Sequence, residues 1–334
     1  MPCVSMVMQE LILHFHIIDN SLFLCYIPKQ NYSAYLVLFY TTNFLKSFKR
    51  KGNIMFSSKA AEIYAPGQAD PIQALQKTTD LCIGAHQDDI EIMAYGPISA
   101  CYGNPNRHFT GVVVTDGAGS PRSGVYANYT DEEMKTARVD EQKNASQIGR
   151  YLAQIFLAHK SSTVKDPNSH VLISELKELI IACSPEVLYT HNLADKHDTH
   201  VAACLHVIRA LREIPPDKRP KRVETLEVWR SLDWLCDEDK LVHDTGAYPN
   251  LAAALLGIYD SQISGGKRYD LATQGRRLAN ATFFASHAVD DYEGICFGLD
   301  ITKLVNSDTD PVDFIVGYID KFKNEVVKRV NALS

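Results

Sequence analysis

From about residue 71 onward, short uncharged apolar runs alternate with longer segments of helical spacing, and this alternation constrains the fold more than any other feature. Residues 81–85 (Leu-Cys-Ile-Gly-Ala) and 111–115 (Gly-Val-Val-Val-Thr) carry no charge on either side of the chain. Such runs suit strands buried on both faces. Residues 151–157, 186–190 and 223–229 read as a third, fourth and fifth strand. Between them, residues 90–100 start a helix at the first strand's mouth. Thr130 with Glu133 makes a capping box, opening a helix that runs to Ile148 and stops at Gly149. Residues 171–183 stop at Pro185, and 199–211 stop before Pro215 and Pro216. Residues 74–77, after Pro71, close a short helix, and 310–333, with Pro311 in the first turn, read as a packing helix. Residues 117–130, rich in Gly, Ser, Pro and Tyr, read as a long loop. Strands alternating with helices predict an α/β fold, a Rossmann-like, mostly parallel sheet with helices on both faces.

Composition narrows the class of partner. The net charge of −6 argues against nucleic acid or an anionic membrane surface. Eight cysteines are scattered without a Cys-x-x-Cys pair, which excludes a zinc ribbon or a redox motif. Several sit inside apolar runs, so buried, reduced thiols in a cytoplasmic protein are expected. Residues 1–54 stand apart, with only seven charged side chains and a net charge of +3. Their uncharged stretch 30–45 is too short for a membrane span of about 20 residues and contains Asn31, Ser33 and Asn43. The basic cluster 46–51 comes last, opposite to a secretory signal. The segment therefore reads either as lying upstream of the true start, with Met55 opening the functional protein, or as a poorly ordered or membrane-surface appendage. Residues 55–334 are expected to form one domain.

Chemistry concentrates at two strand ends. After 81–85 come His86, Asp88 and Asp89; after 186–190 come His191, Asp195, His197, Asp198 and His200. Taken singly, each has an ordinary explanation. A loop histidine is usually solvated, adjacent aspartates are common in turns, and His191 could simply cap its strand. Jointly they lie on one side of a parallel sheet, where the working crevice of such folds is found. Three protein ligands and an open position for water are the pattern of catalytic zinc.

These motifs resemble those of the LmbE-like, or PIG-L, zinc-dependent N-deacetylases. Gly84-Ala-His86-Gln-Asp88-Asp89-Ile-Glu91 is similar to their Ala-His-x-Asp-Asp motif, and Asp195-x-His197-x-x-His200 to their His-x-x-His motif. Arg138-x-x-Glu141 matches their Arg-x-x-Glu helix, and the likeness is good over residues 79–210. The resemblance implies an LmbE-like fold, His86, Asp89 and His200 as metal ligands, and Asp88 as general base. It implies that His197 stabilises the oxyanion as an imidazolium and that Asp195 is a further polar group of the site. Two departures stand out. Gln87 replaces the usual proline, and His197-Asp198-Thr199-His200 moves the carboxylate of the usual His-Pro-Asp-His by one place. Either Asp195 or Asp198 then orients the imidazole.

The expected activity is removal of an N-acetyl or other N-acyl group from a small amino-sugar-containing molecule, with Zn²⁺ as cofactor. Fe²⁺ could equally occupy a His₂Asp site. A non-sugar N-acyl substrate and a catalytically silent metal- or sugar-binding protein are the alternatives. Arg122, Tyr126 and Tyr129 in the long loop, together with Asp198, are candidate substrate contacts. Residues 274–280 with Ser286 and His287 are candidates for closing over the pocket. Arg138 and Glu141 read as a structural ion pair or a brace for the site. The expected partner is a small molecule, with no nucleic acid and no membrane span; a homo-oligomer is left open.

Overall fold

The five apolar runs form five adjacent parallel strands, in a computed structural model that describes residues 4–8, 11–18, 21–26, 49–51 and 54–334. The chain divides into two units, Met1–Phe48 and Lys49–Ser334. In the first, strands Val4–Met8, Leu11–Ile18 and Ser21–Tyr26 pair antiparallel in chain order. The reading of residues 1–54 as a separate appendage falls mainly outside the described residues. In the second unit Lys49–Lys51 pairs with Ile54–Phe56, and Ile54 and Phe56 are buried.

The main sheet has eight strands: β1 (Glu62–Tyr64), β2 (Asp80–Gly84), β3 (Phe109–Thr115), β4 (Ala153–His159), β5 (Val187–His191), β6 (Arg222–Leu226), β7 (Leu241–Asp244) and β8 (Ile295–Asp300). Their spatial order is β7-β8-β6-β5-β2-β3-β4-β1. Strands β6, β5, β2, β3 and β4 are parallel; β1 and β8 pair antiparallel with their neighbours. The mostly parallel α/β sheet is therefore observed, with antiparallel strands added at both edges.

Side chains on the strands alternate between two cores, as a period of two requires. Leu81, Ile83, Val112, Val114, Leu188 and Val223 pack with Leu172, Leu176, Leu179, Val207 and Leu211 of helices His170–Cys183 and Asp198–Glu213. Cys82, Val113, Phe156, Tyr189 and Leu226 face the other way, toward Met93, Tyr95, Ile98, Ala145 and Leu255. Each fully buried aliphatic side chain of this kind contributes roughly 1.5–3 kcal/mol. Helices cover both faces because the strands are apolar on both.

Several elements differ from the reading of the sequence. The helix expected over 90–100 is two short helices, Asp89–Met93 and Tyr95–Cys101, broken at Ala94. Pro97 has no N–H to give to the carbonyl of Met93, and its ring would collide with that carbonyl in a continuous helix. The strand expected over 223–229 stops at Leu226. There the Glu227 carboxylate takes the Leu232 N–H and the Trp234 indole at 2.6 and 3.0 Å, turning the chain. The helices Pro249–Gly257, Asp260–Ile263 and Tyr269–Phe283 were not foreseen. Helix Asp131–Ile148 has its full capping box from Thr130 and Glu133, as expected. Among the described residues no helix is long and apolar enough to cross a membrane. Cys82, Cys101, Cys183, Cys204 and Cys236 are buried free thiols, and Cys296 is a half-buried one.

Candidate active site

Strands β2 and β5 lie side by side where the order of the sheet reverses. From β2 the chain proceeds outward to β3 and β4, and from β5 to β6 on the other side. The loops leaving such a pair diverge and open a crevice beyond the carboxyl ends. His86, Asp88 and Asp89 leave β2 into it, and His191 to His200 leave β5. A cavity of about 430 Å³ opens here, lined by His86, Asp88, Asp89, His197 and His200 among others.

Three atoms converge at its floor. His86 Nδ1 is 3.1 Å from Asp89 Oδ2 and 3.2 Å from His200 Nε2, and His200 Nε2 is 3.3 Å from Asp89 Oδ2. Tetrahedral ligands about 2.0–2.2 Å from a metal stand about 3.3–3.6 Å apart, so this triangle fits a small dication with little movement. Burial alone would raise the Asp89 pKa, but His200, His86 and His191 hold it well below the usual range. The Asp89 carboxylate also accepts the His86 backbone N–H at 2.6 Å, which pins the loop to the first turn of the helix.

His191 is close but differently engaged. Its Nε2 accepts the Ala85 N–H at 2.8 Å, so the lone pair that a metal would need is spent on the backbone. Burial, helped by His200, lowers its pKa to about 4 and keeps it neutral. Its role in the structure is to tie β5 to the end of β2.

Asp195 stands behind His200, not His197. Its Oδ2 is 3.3 Å from His200 Nδ1, an ion pair without a hydrogen bond. Its oxygens also take the backbone N–H groups of His197 and Val228 at 3.0 and 3.2 Å. One carboxylate thus fixes a candidate ligand, the start of helix Asp198–Glu213 and the turn after β6. Asp198 is exposed, does not line the cavity and orients neither ring.

Asp88 is held beside the triangle in a strained conformation. Its φ of 91° lies in the left-handed region, which only Gly, Asn and Asp visit readily. Gln142 Oε1 accepts its N–H at 3.2 Å, and Arg138 Nη2 lies 3.3 Å from its carboxylate. Gln142 is held in turn by Glu91, a fully buried carboxyl that also accepts the hydroxyls of Tyr151 and Tyr259 at 2.7 and 2.6 Å. Burial lifts Glu91 to about 7 against these donors. Burial likewise lifts Asp88 to about 6, with Arg138 opposing and Asp89 adding to the rise.

Arg138 is the hub of this support. It is buried, donates to the Gln87 carbonyl and lies 3.5 Å from Glu141, whose carboxylate takes the Ser261 N–H and hydroxyl, both at 2.7 Å. The pair is therefore a brace running from the site to helix Asp260–Ile263. Gln87 supplies what a proline could not: its side chain donates to the Thr115 carbonyl at 3.2 Å, joining the ends of β2 and β3. Gly117 follows β3 with a φ of 76°, and a Cβ there would lie 2.8 Å from Gln87 Oε1, so glycine is required. Arg138→Met is expected to lower unfolding free energy by about 3 kcal/mol in urea denaturation, because it strands buried carboxylates without their partner. A change below about 0.5 kcal/mol would show that the brace is unimportant.

The loop residues expected at the substrate are placed elsewhere. Arg122 donates to Asp131 at 2.6 Å and to the Ala118 carbonyl, and Tyr126 donates to Asp260 at 2.7 Å. Tyr129 packs edge-on against Tyr126. None of the three lines the cavity, because the loop folds against its own helix and onto 260–263. Arg276 donates to the carbonyls of Val228 and Arg230, bracing the turn after β6, while Ser286 and His287 are exposed. The cavity walls instead use Trp229, Tyr269, Lys165 and Lys267, which the sequence did not single out. Only Trp229 had a signal, its place just beyond a strand end.

The profile of the family described as PIG-L: GlcNAc-PI de-N-acetylase matches residues 81–211, the stretch that carries both His/Asp clusters. Over this stretch, less than half of the chain, the sequence is similar to the PIG-L, or LmbE-like, family. Among solved structures, the N,N'-diacetylchitobiose deacetylase from Pyrococcus horikoshii, complexed with its inhibitor MPG, is similar with a TM-score of 0.56 at 12% identity, over 71% of this chain and 88% of that one. The conserved protein TT1542 from Thermus thermophilus is similar with a TM-score of 0.53 at 15% identity, over 67% of this chain and 94% of that one. At such identities these likenesses establish the fold. No curated protein sequence matches the chain.

Proposed function

We infer that residues 55–334 form a metal-dependent hydrolase that removes an N-acetyl group from a small amino-sugar-containing molecule. The observation that carries this reading is the triangle of His86, Asp89 and His200 with a further carboxylate, Asp88, beside it in the lining of the cavity. In this reading the three hold Zn²⁺, or Fe²⁺ where supply favours it. A bound dication supplies Lewis acidity toward water and the acyl carbonyl.

Asp88 takes the proton of the attacking water and later returns it to the leaving amine. Arg138 and Gln142 hold it in place for both steps. His197 faces the developing oxyanion. The Thr199 N–H donates to its Nδ1 at 3.2 Å, and burial together with His200 and His86 lowers its pKa. With Nδ1 engaged by the backbone, Nε2 is the atom left to face the oxyanion, and the lowered pKa favours a neutral donor over the imidazolium that the family resemblance implied. A neutral donor aimed at a forming oxyanion still contributes about a hundredfold or more in rate.

The amino-sugar reading draws on the cavity walls. A volume of about 430 Å³ is in the range of small-molecule sites, and Trp229 and Tyr269 offer flat apolar faces beside polar groups, as a sugar ring requires. Buried reduced thiols support a cytoplasmic setting. The test is release of acetate from a panel of N-acetylglucosamine conjugates and simple N-acyl amides, with metal-loaded protein. Sugar conjugates are expected to be preferred, and Trp229→Ala to raise their KM about tenfold, the loss of roughly 1.4 kcal/mol of contact. Equal turnover of non-sugar amides, insensitive to Trp229→Ala, would point to the alternative acyl substrate.

A further inference from the structure

Tyr259 lies outside the matched stretch 81–211, yet it is only 2% exposed and its hydroxyl enters the support of the candidate base. It donates to Glu91 Oε2 at 2.6 Å and to Gln142 Oε1 at 2.9 Å, one hydrogen shared by two acceptors. Gln142 Oε1 also accepts the Asp88 N–H at 3.2 Å and is the one acceptor of that N–H among the described residues. At its other end the Gln142 amide donates from Nε2 to Glu91 Oε1 at 2.8 Å. The amide is thus gripped twice, its oxygen by Tyr259 and its nitrogen by Glu91. Gln142 is fully buried, so solvent does not replace a partner lost there.

Tyr259 is itself fixed. The Arg138 guanidinium lies 5.7 Å from the centre of its ring. Two residues on, buried Ser261 donates its N–H and its hydroxyl to Glu141, both at 2.7 Å. Gln262, Lys267 and Tyr269, further along the same segment, line the cavity. Tyr259 therefore stands where the cavity wall joins the support of Asp88. That support has a task, because a φ of 91° is costly for a residue with a side chain and persists only where the surroundings fix it. A reacting group displaced by about 1 Å can lose about 100-fold in rate.

We propose that Tyr259 is a positioning residue for Asp88, acting through Gln142. Without its hydroxyl the Gln142 oxygen is held only from the Asp88 side. The amide then shifts, the Asp88 N–H loses its acceptor, and the backbone relaxes out of the left-handed region with the carboxylate turned from the cradle. The effect on rate rests on the deacetylase reading, in which Asp88 is the base. The contact with the Asp88 N–H needs neither substrate nor metal.

Tyr259→Phe keeps the ring against Arg138 and removes one hydroxyl. In metal-loaded protein kcat for acetate release is expected to fall about three- to tenfold, with KM and metal per chain unchanged. Gln142→Met should lower kcat at least as much. Adding Tyr259→Phe to it should cost less than about twofold more, because the two residues act in series. A second readout uses the metal-free protein with nitrogen-15-labelled aspartate and no substrate. The Asp88 amide, identified by its absence from Asp88→Asn, should exchange with solvent at least about tenfold faster in Tyr259→Phe. The Asp195 amide, bonded to the Asn192 carbonyl, should keep its rate. Unchanged exchange at Asp88, a change carried by KM alone, or full additivity in the double variant would overturn the role. Faster exchange at Asp88 in a protein that releases no acetate from any substrate would uphold the contact and remove the deacetylase reading instead.

Discussion

Asp88→Asn is expected to lower kcat/KM for deacetylation about a thousandfold while the purified variant still binds its metal. The side chain lines the cavity but is not one of the three atoms that meet at its floor, so the substitution removes a base and leaves the cradle. Asparagine also tolerates the left-handed backbone that Asp88 adopts. The sign of the stability effect follows from the carboxyl's pKa, which burial raises from 3.8 to about 6. A carboxyl whose pKa is raised on folding favours the fold below its unfolded value and loses that contribution as pH rises through the folded one. Above pH 6 the ionised form is thus a burden that asparagine lacks, and the variant should be at least as stable at pH 7.5. Since the base works only when ionised, wild-type kcat/KM should fall on the acid side at or below about pH 6; a cation in the cradle moves that limb lower. Near-wild-type turnover in Asp88→Asn, with metal content unchanged, would remove Asp88 from the mechanism.

His200→Ala should lose the metal, read as metal per chain by elemental analysis after dialysis, with activity falling in step. Its Nε2 closes the triangle with His86 and Asp89, and two remaining ligands hold a dication weakly. Asp195→Asn should fall between, weakening metal affinity about 10–100-fold, because it removes the charge behind the ring and not a ligand. Protons provide an independent readout. In the metal-free protein burial works against a charged His200, but Asp89 and Asp195 push its pKa up to about 10. Metal uptake at pH 7–8 must then displace a proton, and affinity must weaken as pH falls. Calorimetry in buffers of different ionisation enthalpy measures that release. Full metal content in His200→Ala would place the cradle elsewhere, with His191 as the first residue to reconsider.

The central strands were legible because their cause is local. The apolar run 81–85 and the capping box of Thr130 and Glu133 each need only neighbours in the chain, and both appear where they were expected. The edge strands were not. β1 and β7 have three and four residues, only partly buried, so no hydrophobic period marks them. The broken helix after Asp89 could have been anticipated from Pro97 alone, whereas the turn after β6 depends on Glu227 finding Leu232 and Trp234.

The candidate site divides along the same line. Which residues gather at the candidate site was readable, because His86, Asp88 and Asp89 adjoin one strand end and His197 and His200 another. The contacts each makes were not, because they depend on how the loops fold, in part against segments more than 100 residues away. Only the folded chain sets Asp195 beside His200, spends the lone pair of His191 on Ala85 and gives the His197 Nδ1 to the Thr199 N–H. The same holds for the walls. Arg122 and Tyr126 looked suited to a substrate but are taken by Asp131 and Asp260, while Trp229 and Tyr269 arrive from turns with no motif. By itself the sequence determined the central strands and the set of candidate groups, since periodicity and adjacency act along the chain. Tertiary structure alone decided what each group touches, since hydrogen bonds and charge pairs are settled by short-range contacts made only after the strands are side by side.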